Sequence, residues 1–299
     1  MGELGCEPAE RVVERHRPFE PDPGNTGGGK KLIITAHSSK GGTGKTLFST
    51  NLAISLAKRG KKVCLLDLDF RAPSLNTIFE GAKSECWLND YLNQVCKIDE
   101  ALKDCGSSCV RKGRMFVGLA NPSLRAIRDM ISKDRNWEMK ALCRLLSLKE
   151  SLIKELHFDY VILDTSPGLQ YNSINAIVSA DVVFVVTTLE KSDVEGTQRM
   201  INDLYELFEK KTEILVNKIP NGFLHSENQK SLEILQLPMI GEIPCSCEIP
   251  NAEGKFFFAT KKPNHPFTKT LEKIATKIEQ HKLQYEPLLT ATHPDAFIT

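Results

Sequence analysis

The run His37-Ser38-Ser39-Lys40-Gly41-Gly42-Thr43-Gly44-Lys45-Thr46 holds the residue types and spacing that could do chemistry. Gly41, Gly42 and Gly44 strip the backbone of side chains, so consecutive N–H groups can point into one concavity. A helix starting at Thr46 adds unpaired N-terminal donors and the positive end of its dipole. The guest that suits such a cradle is a phosphate chain. Lys45 then neutralises the β and γ phosphates, and the Thr46 hydroxyl ligates Mg²⁺. The alternative is a ligand-free turn. Two lysines, three glycines and a threonine between a strand and a helix argue against it.

These residues need a strand and a helix to hold them. The apolar run Leu32 to Ala36 predicts the strand, and Thr46 to Arg59, with Leu47, Leu52, Ile54 and Leu56 as its apolar positions, predicts the helix that Gly60 closes. Asn51, one turn beyond the loop, either ties the loop to its neighbours or is an ordinary polar helix residue. A second strand, Val63 to Leu66, ends in Asp67-Leu68-Asp69, and a buried strand, Tyr160 to Leu163, ends in Asp164-Thr165-Ser166-Pro167-Gly168. In a doubly wound sheet the carboxyl ends of strands face the ligand crevice, which sets these acids beside the phosphate loop. One acid can order the water shell of Mg²⁺ and another can orient the attacking water. Asp164 after an apolar strand is the Walker B arrangement, holding Mg²⁺ through water, and Gly168 supplies an N–H able to sense the γ-phosphate. For each aspartate the alternative is a cap on the turn that follows.

Further strands are predicted at Met115 to Leu119, Val182 to Thr187, Glu213 to Val216 and Met239 to Ile243. Helices are predicted at Trp87 to Val95, Ile98 to Lys103, Ser123 to Ile131, Glu138 to Leu156, Asp193 to Phe208 and Phe267 to His281. Their alternation predicts an α/β fold with a doubly wound, mainly parallel sheet and helices on both faces. Residues 30–284 form the expected domain. Residues 1–29, rich in charge, proline and glycine, and residues 285–299 are expected to be tails.

The general phosphate-loop pattern asks for glycine at position 39. This chain has Ser39 there and an additional lysine, Lys40. The resulting Lys-Gly-Gly-Thr-Gly-Lys-Thr resembles the deviant Walker A motif of the MinD/ParA/Mrp superfamily of P-loop ATPases, the SIMIBI class. Asp67 to Ser74 is similar to that family's switch I, and Asp164 to Gly168 to its switch II; the resemblance runs from about Lys30 to Gln284. It implies that Lys40 reaches across a dimer interface to the partner's nucleotide. It further implies that Asp69 positions the hydrolytic water, that Asp67 supports the metal, that Asn217 recognises the adenine edge, and that Pro244 begins the segment packing on the base. The function implied is a slow, partner-regulated ATPase using ATP and Mg²⁺. It would form a homodimer in the ATP state and position or partition a cargo, in the manner of MinD-like proteins, with an unidentified activator. The alternatives are a metal-cluster maturation ATPase of the CooC or Mrp kind, suggested by Cys245-Ser246-Cys247, and a scaffold that binds nucleotide without turning it over.

Composition bounds the partners. Lys plus Arg is 39 against 38 for Asp plus Glu, and a net charge of +1 gives no global attraction to nucleic acid or anionic lipid. DNA and peripheral membrane contact therefore gain no support, and the helix predicted at Phe267 to His281 reads as packed on the sheet. No apolar run approaches the ~20 residues that span a bilayer. Nine cysteines, an odd number with no secretory leader, suit a reducing cytoplasm. Cys105 and Cys109 lack the second pair that a metal site would need nearby.

Overall fold

Runs of Val, Ile and Leu bounded by turn residues become the strands of one sheet, in which period-two alternation sends successive side chains to opposite faces. In the computed structural model the described residues are 31–79, 86–105, 110, 112–220, 232–246, 248–249 and 257–280. The predicted tails, with Cys109 and Cys247, lie outside them. The strands are β1 (Leu32–His37), β2 (Lys62–Asp67), β3 (Leu102–Asp104), β4 (Arg114–Gly118), β5 (Tyr160–Asp164), β6 (Val182–Thr187), β7 (Lys211–Ile219) and β8 (Met239–Pro244). Their order is β3-β4-β2-β5-β1-β6-β7-β8. Only the β3–β4 pair is antiparallel. The fold class is the predicted one, α/β with a mainly parallel sheet.

Helices cover both faces: α1 (Lys45–Lys58), α2 (Leu75–Ile78), α3 (Leu88–Leu92), α4 (Ile98–Ala101), α5 (Leu124–Ile131), α6 (Arg135–Leu148), α7 (Tyr171–Ser179), α8 (Lys191–Met200), α9 (Phe258–Lys261) and α10 (Pro266–Glu279). Leu32, Ile34 and Ala36 of β1 pack with Phe48 and Leu52 of α1 and with Leu271 and Ile274 of α10. Ile33, between them in sequence, joins Leu145 and Leu148 of α6 on the other face. None of the described helices is long and apolar enough to cross a membrane.

Three departures from the sequence pattern have physical reasons. The helix predicted to Lys103 stops at Ala101, because Leu102–Asp104 pairs with β4 as an edge strand. Gly118 lies opposite Leu102, and a Cβ there would fall 2.6 Å from Leu66 Cδ2 and 3.4 Å from Leu102 Cδ2, so its bareness admits both leucines. The helices predicted to Leu156 and Phe208 leave the α pitch as π-helical segments, Lys149–Glu155 and Ile201–Tyr205. A wider turn re-aims the side chains that follow, often at functional sites. Helix α7 has no expectation behind it: Tyr171–Ser179 mixes polar and apolar residues without a strong stripe, and its Ala176 and Ile177 are buried through packing on α6 and the sheet.

Candidate functional site

The glycine-rich loop leaves the carboxyl end of the central strand β1. Gly42 and Gly44 take φ of +78° and +100°, the left-handed region that favours glycine. Gly44 is the N-cap of α1, and a Cβ there would lie 2.3 Å from Asn217 Nδ2. Asn217 uses that nitrogen to donate to the Thr43 carbonyl at 2.7 Å, while its Oδ1 accepts from the Lys218 N–H at 2.8 Å. The residue expected at an adenine edge thus pins the loop in this structure. Pro244, at the end of β8, lines a cavity of about 260 Å³ with Ile219, Pro266 and Lys273.

On one flank of the loop stand acids from two adjacent strands. Parallel pairing puts Asp67 opposite Asp164, and Ala36 of β1 opposite Asp164 on its other side. Both carboxylates are buried. Asp67 turns its oxygens to backbone N–H groups, Asp69 at 3.1 Å and Leu75 at 3.4 Å, so it fastens the turn that carries Asp69. Burial and the neighbouring Asp164 raise its pKa well above the ordinary carboxyl value. Asp164 Oδ1 accepts the Ser49 hydroxyl at 2.9 Å, but its Oδ2 is buried with no hydrogen-bond partner among the described residues. Burial pushes the Asp164 pKa up to about 6, against the pull of the Thr46 and Ser49 hydroxyls and of Lys45. An orphaned carboxylate oxygen beside two hydroxyls is a donor set that fits a hard divalent cation such as Mg²⁺.

Lys45 is buried, and its Nζ donates to Ser38 Oγ at 2.7 Å. Burial lowers its pKa, and Asp164, Asp69 and Asp193 oppose that shift, so all three carboxylates lie within electrostatic reach of the ammonium. Asp69 itself accepts the Ala72 N–H at 3.1 Å. Of the predicted acids, Asp164 and Asp69 thus act on the loop lysine, while Asp67 is turned to the backbone of residues 69 and 75.

On the other flank Ser39 and the predicted Lys40 are held by side chains that sequence reasoning did not assign to the site, Thr188, Glu190, Ser192 and Asp193. Ser39 Oγ donates to Asp193 Oδ1 at 2.6 Å, and Asp193 Oδ2 accepts both the N–H and the hydroxyl of Thr188, at 2.8 and 3.0 Å. Gly196 makes room, since a Cβ there would be 3.0 Å from Ser39 Cβ. Lys40 is ion-paired with Glu190 of its own chain and donates to Ser192 Oγ at 3.1 Å. The Glu190 carboxylate raises the Lys40 pKa, and Lys40 lowers that of Glu190. The one sequence signal was Ser39 itself, standing where glycine is usual.

His37 joins the loop to the segment after β5. Its Nε2 lies 3.0 Å from the Gly168 carbonyl and its Nδ1 2.6 Å from the Tyr205 hydroxyl. A carbonyl can only accept, so Nε2 carries the proton and Tyr205 donates to Nδ1. Burial takes the imidazole pKa down to about 3, which keeps it neutral. Gly168 (φ +73°) also donates its N–H to the Ser38 carbonyl at 2.8 Å. That N–H, expected to sense a γ-phosphate, is engaged by the loop entry in this conformation. Asn51 likewise differs from expectation: its Oδ1 accepts the Ala259 N–H at 2.9 Å, tying α1 to α9 and not to the loop. Of the predicted cysteines, Cys245 is an exposed thiol.

A parallel sheet with a bare loop at its central strand, a buried lysine in that loop and acids from adjacent strands defines a P-loop nucleotide-binding protein. Comparisons with known proteins agree. A family model described as an AAA domain matches residues 31–218. The septum site-determining protein MinD of Thermotoga maritima is 30% identical over 258 residues, 82% of this chain and 87% of that protein. In structure the chain is similar to the MinD of Pyrococcus horikoshii OT3 complexed with Mg-ADP (TM-score 0.67, 20% identity, 84% of this chain and 97% of that one). It is also similar to the MinC:MinD complex of Aquifex aeolicus (TM-score 0.66, 22% identity, 86% and 97%). The chain belongs to the MinD/ParA family of P-loop ATPases.

Proposed function

We propose that this chain is an ATP-gated switch that hydrolyses ATP with Mg²⁺ and closes as a dimer around two nucleotides. The observation that carries the reading is the Asp164 oxygen, buried and unpartnered among the described residues, next to the Thr46 and Ser49 hydroxyls and within reach of Lys45. Thr46 and, through water, Asp164 would hold the metal, whose charge offsets that of the β and γ phosphates. Lys45 and the N–H groups of residues 41–46 bind those phosphates. Lys45 gives up its bond to Ser38 to do so. Asp69 orients the attacking water for in-line displacement, and Asp67 holds the Asp69 backbone for that task. Positioning and electrostatics supply most of the effect, so no strong base is needed.

Lys40 is assigned to the partner's nucleotide, which requires it to leave Glu190. Asn217 and Pro244 are assigned to the base side of the crevice, and Gly168 to the γ-phosphate once its bond to Ser38 exchanges. Mg-ADP in the Pyrococcus relative supports the ligand, and the Aquifex complex with MinC supports a protein partner or cargo. Leu169 and Tyr171, 57% and 55% exposed just beyond Gly168, are an apolar surface on which a nucleotide state could be read. Site of action is proposed to be the cytoplasm, where thiols stay reduced.

Two substitutions test this reading. Asp69→Ala is expected to keep ATP binding, measured by calorimetry with Mg²⁺, and to lower phosphate release about 100-fold; unimpaired turnover removes Asp69 from the mechanism. Lys40→Ala is expected to abolish ATP-dependent dimerisation in light scattering, and a normal dimer with normal turnover would end the cross-interface role.

A further inference from the structure

Away from the nucleotide crevice, the fold brings together three donors that the sequence leaves up to 14 positions apart. The Cys86 and Cys96 sulfurs and a Glu100 carboxylate oxygen all lie within 4.8 Å of one another, and no other group of three such donors occurs among the described residues. Each is held by ordered backbone. Cys86 precedes Trp87, whose N–H donates to Asp90 Oδ2 at 2.8 Å, and Leu88 donates its N–H to the Leu119 carbonyl at 2.9 Å. The turn that follows α3 folds back through Val95 N–H to the Asp90 carbonyl at 2.8 Å, which presents Cys96 to Cys86. Glu100 is fixed at the start of α4 because one of its oxygens, Oε2, accepts the Lys97 N–H at 2.7 Å. Its other oxygen is available. The sulfurs are half-buried and the carboxylate is exposed, so an ion can enter from solvent.

Two thiolates and a carboxylate are a donor set for a borderline-soft divalent ion. Zinc takes sulfur at about 2.3 Å and carboxylate oxygen at about 2.0–2.2 Å, which puts tetrahedral ligand atoms roughly 3.4–3.8 Å apart. A cluster that already lies within 4.8 Å closes onto such an ion by a small contraction. The carboxylate distinguishes this site from a simple disulfide pair, to which it would contribute nothing. We propose that Cys86, Cys96 and Glu100 bind a zinc-class divalent ion, with solvent in the fourth position. Both thiols release their protons as the ion binds. The ion clasps the two ends of α3 to the first turn of α4, and so braces the excursion that delivers edge strand β3 to the sheet. This site stands apart from the nucleotide reading and survives or fails without it.

Cobalt is the probe, because its thiolate charge-transfer and tetrahedral d–d bands report the ligands directly. The full chain, purified anaerobically with reductant, is expected to take up one Co²⁺ with those bands, which Zn²⁺ then displaces. Cys86→Ser and Cys96→Ser are each expected to lower the affinity by more than about 100-fold. Glu100→Gln keeps an oxygen for the Lys97 N–H, so the fold is retained, and is expected to weaken binding about tenfold while keeping the sulfur bands. Cys245→Ser should change nothing. Sulfur bands of undiminished intensity and unchanged cobalt affinity in Cys96→Ser, or no uptake by the reduced protein, overturn the site. So does a reversible Cys86–Cys96 disulfide in protein that binds no ion when reduced, which would make the pair redox chemistry instead.

Discussion

The two flanks of the phosphate loop are built in opposite ways. Toward β2 and β5, carboxylates ride on paired strands and are buried, and one of them, Asp164, has an oxygen with no partner among the described residues. Toward β6 and α8, Ser39, Lys40, Thr188, Glu190, Ser192 and Asp193 satisfy one another. The difference teaches which side is poised to gain a ligand and which must let go of something. A buried, under-satisfied carboxylate is relieved by a cation, whereas a saturated side-chain network holds the loop until another partner competes for it.

The largest expected effect comes from breaking the acid flank. Asp164→Asn should lower Mg²⁺-dependent turnover by about 100- to 1,000-fold, measured by phosphate release. It should also change the pH dependence of stability. The Asp164 pKa of about 6 lies above the ordinary 3.8, so between those values the folded chain keeps a proton that the unfolded chain has lost. Stability from this group is therefore full below about pH 4 and falls, by on the order of 3 kcal/mol, as pH rises to 6. Urea denaturation across that window should show the decline in the native chain and lack that component in Asp164→Asn. By the same proton competition, Mg²⁺ binding to the native chain should weaken as pH falls below 6.

A smaller effect is expected from the latch. Asp193→Ala strands the Thr188 N–H and leaves the Ser39 hydroxyl only its longer bond, 3.3 Å, to the carbonyl of residue 193, a loss of about 1–3 kcal/mol. Ser39→Gly should cost less in the Asp193→Ala background than alone. A double-mutant cycle by denaturation measures that coupling, and strict additivity would dissolve the latch as a unit. The smallest effect belongs to Glu190→Gln. Its partner Lys40 is half-exposed and Glu190 more so, and such pairs contribute little to folding. The melting temperature should move by less than about 2 °C. Lys40, released from the ion pair, should dimerise at lower ATP concentration; an unchanged ATP requirement would show that the pair does not restrain it.

How much was legible in the chain varied with the range of the interaction. Strands β1, β2, β5 and β6 could be read because each is buried on both faces and so appears as an unbroken apolar run. The loop was readable because phosphate binding needs local backbone freedom followed at once by a helix. Helix α7 and edge strand β3 were not, since their residues have mixed preferences that packing on β4 and on the sheet decides. Asn217 was singled out, yet its bond to the Thr43 carbonyl crosses 174 positions and nothing near it in sequence announces that contact. His37 was given no role of its own, because Tyr205, which is carried in on a π-helical turn to meet its ring, lies 168 positions away.

What the amino-acid order determined unaided was the alternation of apolar runs with amphipathic helices and the bare, lysine-flanked turn between the first two, because periodicity and backbone freedom are local properties. Tertiary structure alone decided which side chains restrain that turn, and that Cys86, Cys96 and Glu100 meet. Strand register and helix packing set those distances, and they bring together residues that covalent order keeps apart.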